Sequence, residues 1–420
     1  MKDKIKKPVR IKPVNNFALL FVLSLFQLVT GFAGANCGDA FEPKVMIALA
    51  LLIATEWVYL IFFYTVFHRR NFELEIIAFF LSGVGLVTIG SKNADAALKQ
   101  YFMILAGILI FIFLMFLLGY VDLCMKLRLY VAIGALLLLL VNLAIAKTTH
   151  GARNWITVGG ITLQPSEFVK VAFIFVGSAT LEKIQTSKNI IAFIGFSMAV
   201  VGSLIIIKDF GTALIFFVTF LIIAFMNSGD IKTIVLAVAS AVMGSTIVLK
   251  YRSNIKGRFE VYRHVMEPEF YYSTGYQQSR VLVGLASGGL LGLGIGNGNV
   301  RNIGESTNDL IFGVICEEWG YLFGIALVLS FVCIAVSALM NSIASRSTFY
   351  SIASIASAGM LLFQTALNIF GITDILPLTG VTLPFVSQGG SSMMCCWAVL
   401  AFIKASDVRT YNYLGGAKKK

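Results

Sequence analysis

Glu167 and Lys170, in the stretch Gln164-Pro165-Ser166-Glu167-Phe168-Val169-Lys170, stand three residues apart and share one face of a helix for which Pro165 suits the first turn. The plain reading is a charge pair fixing that helix; the chemical one is a lysine presented to a polar or anionic ligand. Just upstream, Gly151-Ala152-Arg153-Asn154-Trp155 sets a guanidinium beside an indole. An indole at that place can be a mere interfacial anchor, but the neighbouring arginine points to phosphate or sugar. Further on, Arg252, Lys256, Arg258, Arg263, His264 and Arg280 crowd one polar stretch, with Glu260, Glu267 and Glu269 among them. Several cations together stabilise spread negative charge, such as that of a departing pyrophosphate; a solvated loop of scattered ion pairs is the alternative. Glu305, Asp309, Glu317 and Glu318 form an acidic group that repels itself unless paired, with Lys170 or the loop arginines as candidate partners. Asp209, before Phe210-Gly211-Thr212, reads first as an N-cap.

Other chemistries are excluded by spacing. The glycines of 287–298 lack the Gly-Lys-Ser/Thr ending of a nucleotide loop and read as close backbone packing. Six cysteines contain no CxxC pair, and the three histidines are not spaced for a metal. Gln364, Asn368 and the serines of 387–392 read as interhelical hydrogen-bonding groups, with lining of a groove second.

The elements that hold these residues are set by composition. Of 420 residues, 58% are hydrophobic and 13% charged, against about 25% charged in soluble domains. The mean hydropathy is +0.86. Soluble catalytic folds and nucleic-acid binders are thereby excluded, and the formal charge of +12 reads as membrane topology. About twelve apolar runs are long enough to cross a bilayer, roughly 17–35, 45–67, 73–91, 101–120, 129–147, 165–182, 189–207, 210–227, 232–250, 309–340, 350–371 and 390–405. The run at 309–340 is long for one crossing and is expected to tilt or to begin outside the bilayer. The first run is an uncleaved helix, being longer than a signal-peptide core.

Lys2, Lys4, Lys6, Lys7, Arg10 and Lys12 put the N-terminal tail in the cytoplasm, and alternate loops then carry Arg69 and Arg70, Lys126 and Arg128, Lys183 and Lys188, Lys232, Arg346, and finally Lys404, Arg409 and Lys418 to Lys420. Both termini are cytoplasmic on this reading. The two longest polar loops, 148–164 and 251–308, face outward, and long connections in a compact protein are usually functional.

Taken in order, the Arg153 loop with Gln-Pro-Ser-Glu and Lys170, the Asp209-Phe-Gly-Thr turn, Gly275-Tyr276-Gln277, Asn308-Asp309-Leu-Ile-Phe with Glu317-Glu318, and Leu383-Pro384-Phe385-Val386-Ser387-Gln388-Gly389-Gly390-Ser391-Ser392 resemble the SEDS family (shape, elongation, division and sporulation; FtsW/RodA/SpoVE-like) over roughly residues 150–405. The resemblance implies an all-α polytopic membrane protein with a core of about ten helices, three of them before the Gly-Ala-Arg loop; five apolar runs precede that loop here, so an extra N-terminal hairpin brings the expected total to about twelve. The expected organisation is a basic cytoplasmic tail over 1–16, N-terminal membrane helices over 17–147, a SEDS-like core over 148–405 with the outer loop 251–308, and a basic cytoplasmic tail over 406–420.

It also implies an enzyme of the bacterial cytoplasmic membrane, a peptidoglycan glycosyltransferase polymerising lipid II, the undecaprenyl-pyrophosphate-linked disaccharide peptide, beside a class B penicillin-binding protein, without nucleic acid. No cofactor is implied and a divalent cation stays open. Arg153, Trp155, Glu167, Lys170, Arg258, Arg263, Gln277, Asp309 and Glu317 are the expected substrate-binding residues. The family's essential Asp, five residues before Gly-Tyr-Gln, falls here on Phe270, or on Tyr271 when counted from Pro268. Neither side chain is a base at neutral pH, so the catalytic carboxylate is expected from Glu269, with Glu267 next. The missing Asp motivates a second reading, a catalytically silent scaffold or regulator of a transpeptidase, and the polytopic architecture with its midmembrane charges motivates a third, a lipid II flippase.

Overall fold

The computed structural model describes residues 15–38, 40–149, 152–158, 161–182, 187–229, 231, 232, 235, 238, 239 and 253–411. A bilayer leaves backbone polar groups no partner but one another, and the apolar runs accordingly fold as helices. These are α1 (Asn16–Ala35), α2 (Pro43–Thr65), α3 (Glu73–Lys92), α4 (Ala94–Leu117), α5 (Val121–Ile145), α6 (Pro165–Leu181), α7 (Ser187–Ile207) and α8 (Phe210–Ser228), followed by α9 (Ser253–Val261), α10 (Pro268–Tyr271), α11 (Tyr276–Gly288), α12 (Ile311–Trp319), α13 (Tyr321–Ile343), α14 (Thr348–Ile372) and α15 (Gly390–Ser406). Eight of the described helices are long and apolar enough to cross a membrane, and Phe210–Met226 and Gly390–Ser406 are shorter apolar helices. The expected crossing at 232–250 lies almost wholly outside the described residues.

The helix ends follow local sequence. Asn15 accepts hydrogen bonds from the N–H groups of Phe17 and Ala18, Asn93 from those of Asp95 and Ala96, and Pro43 and Pro165 open α2 and α6. The expected long run at 309–340 is two helices. Gly320 separates them with φ of 85°, and a Cβ there would lie 2.4 Å from the Leu290 carbonyl oxygen, so α12 ends against the glycine-rich segment before α13 begins. The loop 148–164 adds something the helical pattern does not contain: a three-stranded antiparallel meander of β1 (Lys147–Thr149), β2 (Ala152–Val158) and β3 (Ile161–Leu163). The loop 251–308 is likewise largely ordered, as α9, α10, α11 and a 3-10 turn at Val300–Asn302.

α3 lies at the centre, buried along most of its length against α1, α2, α4, α13 and α15. The outer helices instead present Phe21, Val29 and Phe32 of α1, Leu137 and Leu140 of α5, and Leu329 and Val336 of α13, an apolar belt suited to lipid. In the hairpin of α1 and α2, Gln27 donates to the buried Glu56 at 2.8 Å. α3 also approaches the segment before α15 so closely that a Cβ on Gly85 would lie 2.3 Å from the Val386 carbonyl oxygen. Gly85→Ala must push that segment aside and is expected to cost about 1–3 kcal/mol. A lower melting temperature in detergent checks it; an unchanged one would mean the approach is not tight.

Polar groups gather at the two ends of the bundle. One end carries the sheet, α9 to α11, the glycine-rich segment and residues 373–389. The opposite end holds Arg69, Glu75, Lys404, Asp407 and Arg409, with Arg346 over the rings of Tyr350 and Tyr411. There Arg69 and Lys404 both pair with Glu75, and Asn71 donates to Asp407 at 2.7 Å. Burial alone would raise the Asp407 carboxyl, but Arg409, Lys404 and Asn71 outweigh it and hold the group below the usual carboxylate range.

Candidate functional site

The sheet-bearing end is built on the first turn of α6. Pro165 starts that helix, which sets Glu167 and Lys170 on one inward face, each less than 5% exposed. Lys170 Nζ lies 2.8 Å from Glu167 Oε1 and 2.9 Å from Gln364 Oε1 of α14. Gln364 in turn donates to the Thr382 carbonyl at 2.9 Å, and the Thr382 hydroxyl is 2.9 Å from that of Ser392. One turn along α14, Asn368 donates to the carbonyls of Asp309 at 2.6 Å and Val381 at 2.7 Å. Ser387 donates to the Asn308 carbonyl at 2.5 Å, and the Gln388 N–H to that of Thr307 at 2.7 Å. A continuous polar layer thus joins α6, α14, α15 and the segment 307–310, with Gln364 and Asn368 bonding between elements as their positions suggest.

Asp209 does what its position predicts and more. Its Oδ1 accepts from the Thr212 N–H at 3.2 Å, capping α8, while Oδ2 accepts from Gln164 at 3.1 Å and Asn154 at 3.4 Å. This ties the strand β2 to the start of α6. Trp155 is central in β2, paired in register with Lys147. Arg153 is also in β2, and its side chain lies outside the described residues, as do Arg252 and the side chain of Lys256.

A second layer lies over residues 371–380. Arg258 donates to the carbonyls of Leu378 at 3.1 Å and Thr379 at 3.2 Å, and Tyr262 to that of Ile375 at 2.8 Å. The Arg263 N–H and the Gln278 amide both donate to Asp374 Oδ1 at 3.2 Å, and Gln278 also reaches the Gly371 carbonyl at 2.6 Å. Burial pushes the Asp374 carboxyl above the usual range, against the lowering pull of the Arg263 N–H and the charges of Arg263 and His264. Gln277 donates to the Gly304 carbonyl at 3.5 Å. Arg280 sits over the rings of Tyr271, Tyr272 and Tyr276 and donates to the Tyr271 hydroxyl at 2.9 Å.

The expected site residues therefore separate into three groups. Glu167, Lys170 and Asp309 belong to the buried layer, Asp309 through its carbonyl. Arg258, Arg263 and Gln277 belong to the outer layer. Glu317 lies apart: it is buried and accepts from the N–H groups of Asn299 at 3.0 Å and Val300 at 2.8 Å, while Glu318 accepts from that of Gly296 at 2.9 Å. Main-chain amides of the glycine-rich segment thus hold the acid pair, and of the expected partners the loop arginine Arg301 adds positive charge beside Glu318 while Lys170 pairs with Glu167 instead. Glu267 is exposed with an oxygen 2.6 Å from His264 Nδ1, and Glu269 is exposed on the short α10. No described contact joins either acid to Lys170. Sequence reasoning missed Gln164, Thr382 and Asp374; for Asp374 a signal was present, since it is the only charged residue between Arg346 and Lys404. Among the described residues, no group of three or more His, Cys, Asp or Glu is placed to hold a metal ion.

Comparisons with known proteins agree with this architecture. FtsW of Bacillus subtilis, a probable peptidoglycan glycosyltransferase, is 29% identical over 380 residues, covering 83% of this chain and 93% of that one. The peptidoglycan glycosyltransferase RodA of Mycobacterium leprae is 28% identical over 271 residues, 60% of this chain, which spans 58% of that protein's length. Among solved structures, a chain of a peptidoglycan synthase complex superposes with a TM-score of 0.69 at 22% identity, covering 82% of this chain and 98% of that one. Thermus thermophilus RodA superposes with a TM-score of 0.58 at 22% identity, covering 80% and 95%. At such identity these two show the fold alone. The family described as cell cycle protein, FtsW/RodA/SpoVE, matches residues 59–412, and the chain belongs to it.

Proposed function

We propose that this multi-pass bacterial membrane protein is a peptidoglycan glycosyltransferase that polymerises lipid II at the outer face of the cytoplasmic membrane. The family match over 59–412 is the observation that carries the reading. In the reaction, the acceptor's 4-hydroxyl attacks C1 of a sugar linked to undecaprenyl pyrophosphate, with inversion. Arg263 and Arg280, both on the outer layer, supply positive charge for the departing diphosphate. Arg258 spends its guanidinium on holding residues 378 and 379, and the Lys170 layer fixes the floor beneath. The reaction also needs a carboxylate to take the hydroxyl proton. Glu269 and Glu267 are the acids of the long loop nearest the position where the family resemblance puts its Asp.

The clustering of Arg69, Arg346, Lys404 and Arg409 at the end opposite the long loop supports cytoplasmic termini. The match beginning at residue 59, inside α2, supports an added N-terminal hairpin before the shared core. A class B penicillin-binding protein is the partner that the family resemblance implies, and one of the similar folds is a chain of a peptidoglycan synthase complex.

Phe270 and Tyr271 at the expected Asp position favour a second reading, a silent scaffold for that partner. Purified protein given labelled lipid II, with and without the partner, decides between them. A ladder of glycan strands is expected. Intact lipid II with undiminished partner binding would establish the scaffold instead, and lipid II moved across vesicles without polymer would establish a flippase.

A further inference from the structure

Asp374 stands out on four independent grounds. It is the only charged residue in the 57 positions 347–403, at the outer end of a membrane helix where an ionisable group is costly unless used. Its backbone is left-handed, with φ of 58°, a conformation that non-glycine residues adopt seldom and often at functional sites. Its Oδ1 is fixed by two donors, the Arg263 N–H and the Gln278 amide, whereas Oδ2 has no hydrogen-bond partner among the described residues. Finally, Gln278 directly follows Gly275-Tyr276-Gln277. The carboxylate of Asp374 therefore arrives, from the α14 side, at the same helix start that the family resemblance uses to count to its Asp.

The two acids of the long loop lack this arrangement. Glu267 is taken up by His264, and Glu269 stands exposed on a helix of four residues with no described contact to the segment 371–391. The groups facing Asp374 are instead the cation Arg263 and His264 on the turn after α9 and the neutral Gln278 of α11. One cation beside a proton acceptor is what a transfer with a diphosphate leaving group requires.

Resting on the polymerase reading, we propose that Asp374 is the general base of glycosyl transfer in this chain, replacing the acid absent at 270 and 271. Asp374 Oδ2 takes the proton of the acceptor hydroxyl as its oxygen bonds to C1. The bond from C1 to the phosphate oxygen breaks, and its electron pair leaves on the diphosphate beside Arg263. The proton then passes from Asp374 to water, which restores the carboxylate.

The test is the rate of glycan-strand synthesis from lipid II by the purified full chain. Asp374→Asn keeps the shape and the accepting oxygen and is expected to lower the rate about 10²–10⁴-fold, with lipid II binding retained. Asp374→Gly, which suits the left-handed backbone and guards against a folding defect, is expected to lose the same activity; Asp374→Glu regains part of it. Wild-type rates in Asp374→Asn or Asp374→Gly, with the unsubstituted chain active, would overturn this assignment alone. Loss of activity in Glu269→Gln with Asp374→Asn still active would return the role to the long loop. An inactive but folded wild-type chain would overturn the polymerase reading and this one with it.

Discussion

Glu75→Ala is expected to be among the most damaging single substitutions in the membrane-spanning bundle, costing about 3–5 kcal/mol. The Glu75 carboxylate is about 1% exposed and lies between two equally buried cations, Arg69 and Lys404, the latter 2.9 Å from Oε2. Tyr59 adds a hydrogen bond at 3.0 Å, and the Arg69 guanidinium lies 5.0 Å from the ring centres of both Phe63 and Phe72. Without Glu75, two cations remain where water does not reach. The pairing also joins α3 to α15 across the whole chain, so its loss loosens the central helix from the last one. Against a total stability of about 5–15 kcal/mol, the variant is expected to lose its monodisperse gel-filtration peak or to melt far earlier. Adding Lys404→Met, which removes one uncompensated charge, is expected to recover part of the loss. Wild-type melting in Glu75→Ala would show that water enters this end.

Lys170→Met is the second large case, with a similar cost of about 3–5 kcal/mol. It strands the Glu167 carboxylate, 4% exposed, and removes the donor that Gln364 accepts from at 2.9 Å. Gln364 also holds Thr382, so the segment before α15 shifts and glycan synthesis falls together with stability. The double variant Glu167→Gln/Lys170→Met carries no stranded charge and is expected to melt closer to wild type than Lys170→Met alone. If it melts no higher, the pair is not what holds this layer. Recovery of stability without recovery of synthesis would show that the lysine acts on substrate as well as on packing.

Much of this arrangement is legible in the sequence because the bilayer constrains it. Apolar runs must be helices, and the three-residue spacing of Glu167 and Lys170 puts them on a shared face. Asp209 announced its cap in the same way. What the sequence does not carry is the partner of each polar group across long separations. Glu317 and Glu318 read as acids seeking cations, and Arg301 does lie beside Glu318, yet their hydrogen bonds come from main-chain amides at 296, 299 and 300, and main chain has no residue type to read. Gly320 hid a break inside one apolar run, because glycine also occurs within helices. The sheet at 147–163 leaves little periodic signal in the sequence, its strands being three to seven residues long. Asp374 lies outside the longest loop, and its approach to Gln278 spans 96 positions that no local motif connects.

Undecaprenyl pyrophosphate release, measured against glycosidic bonds formed by the purified chain from lipid II, tests the central claim most directly. One diphosphate lipid released for each new bond is predicted. Lipid II recovered intact after incubation with folded protein and its partner would contradict it.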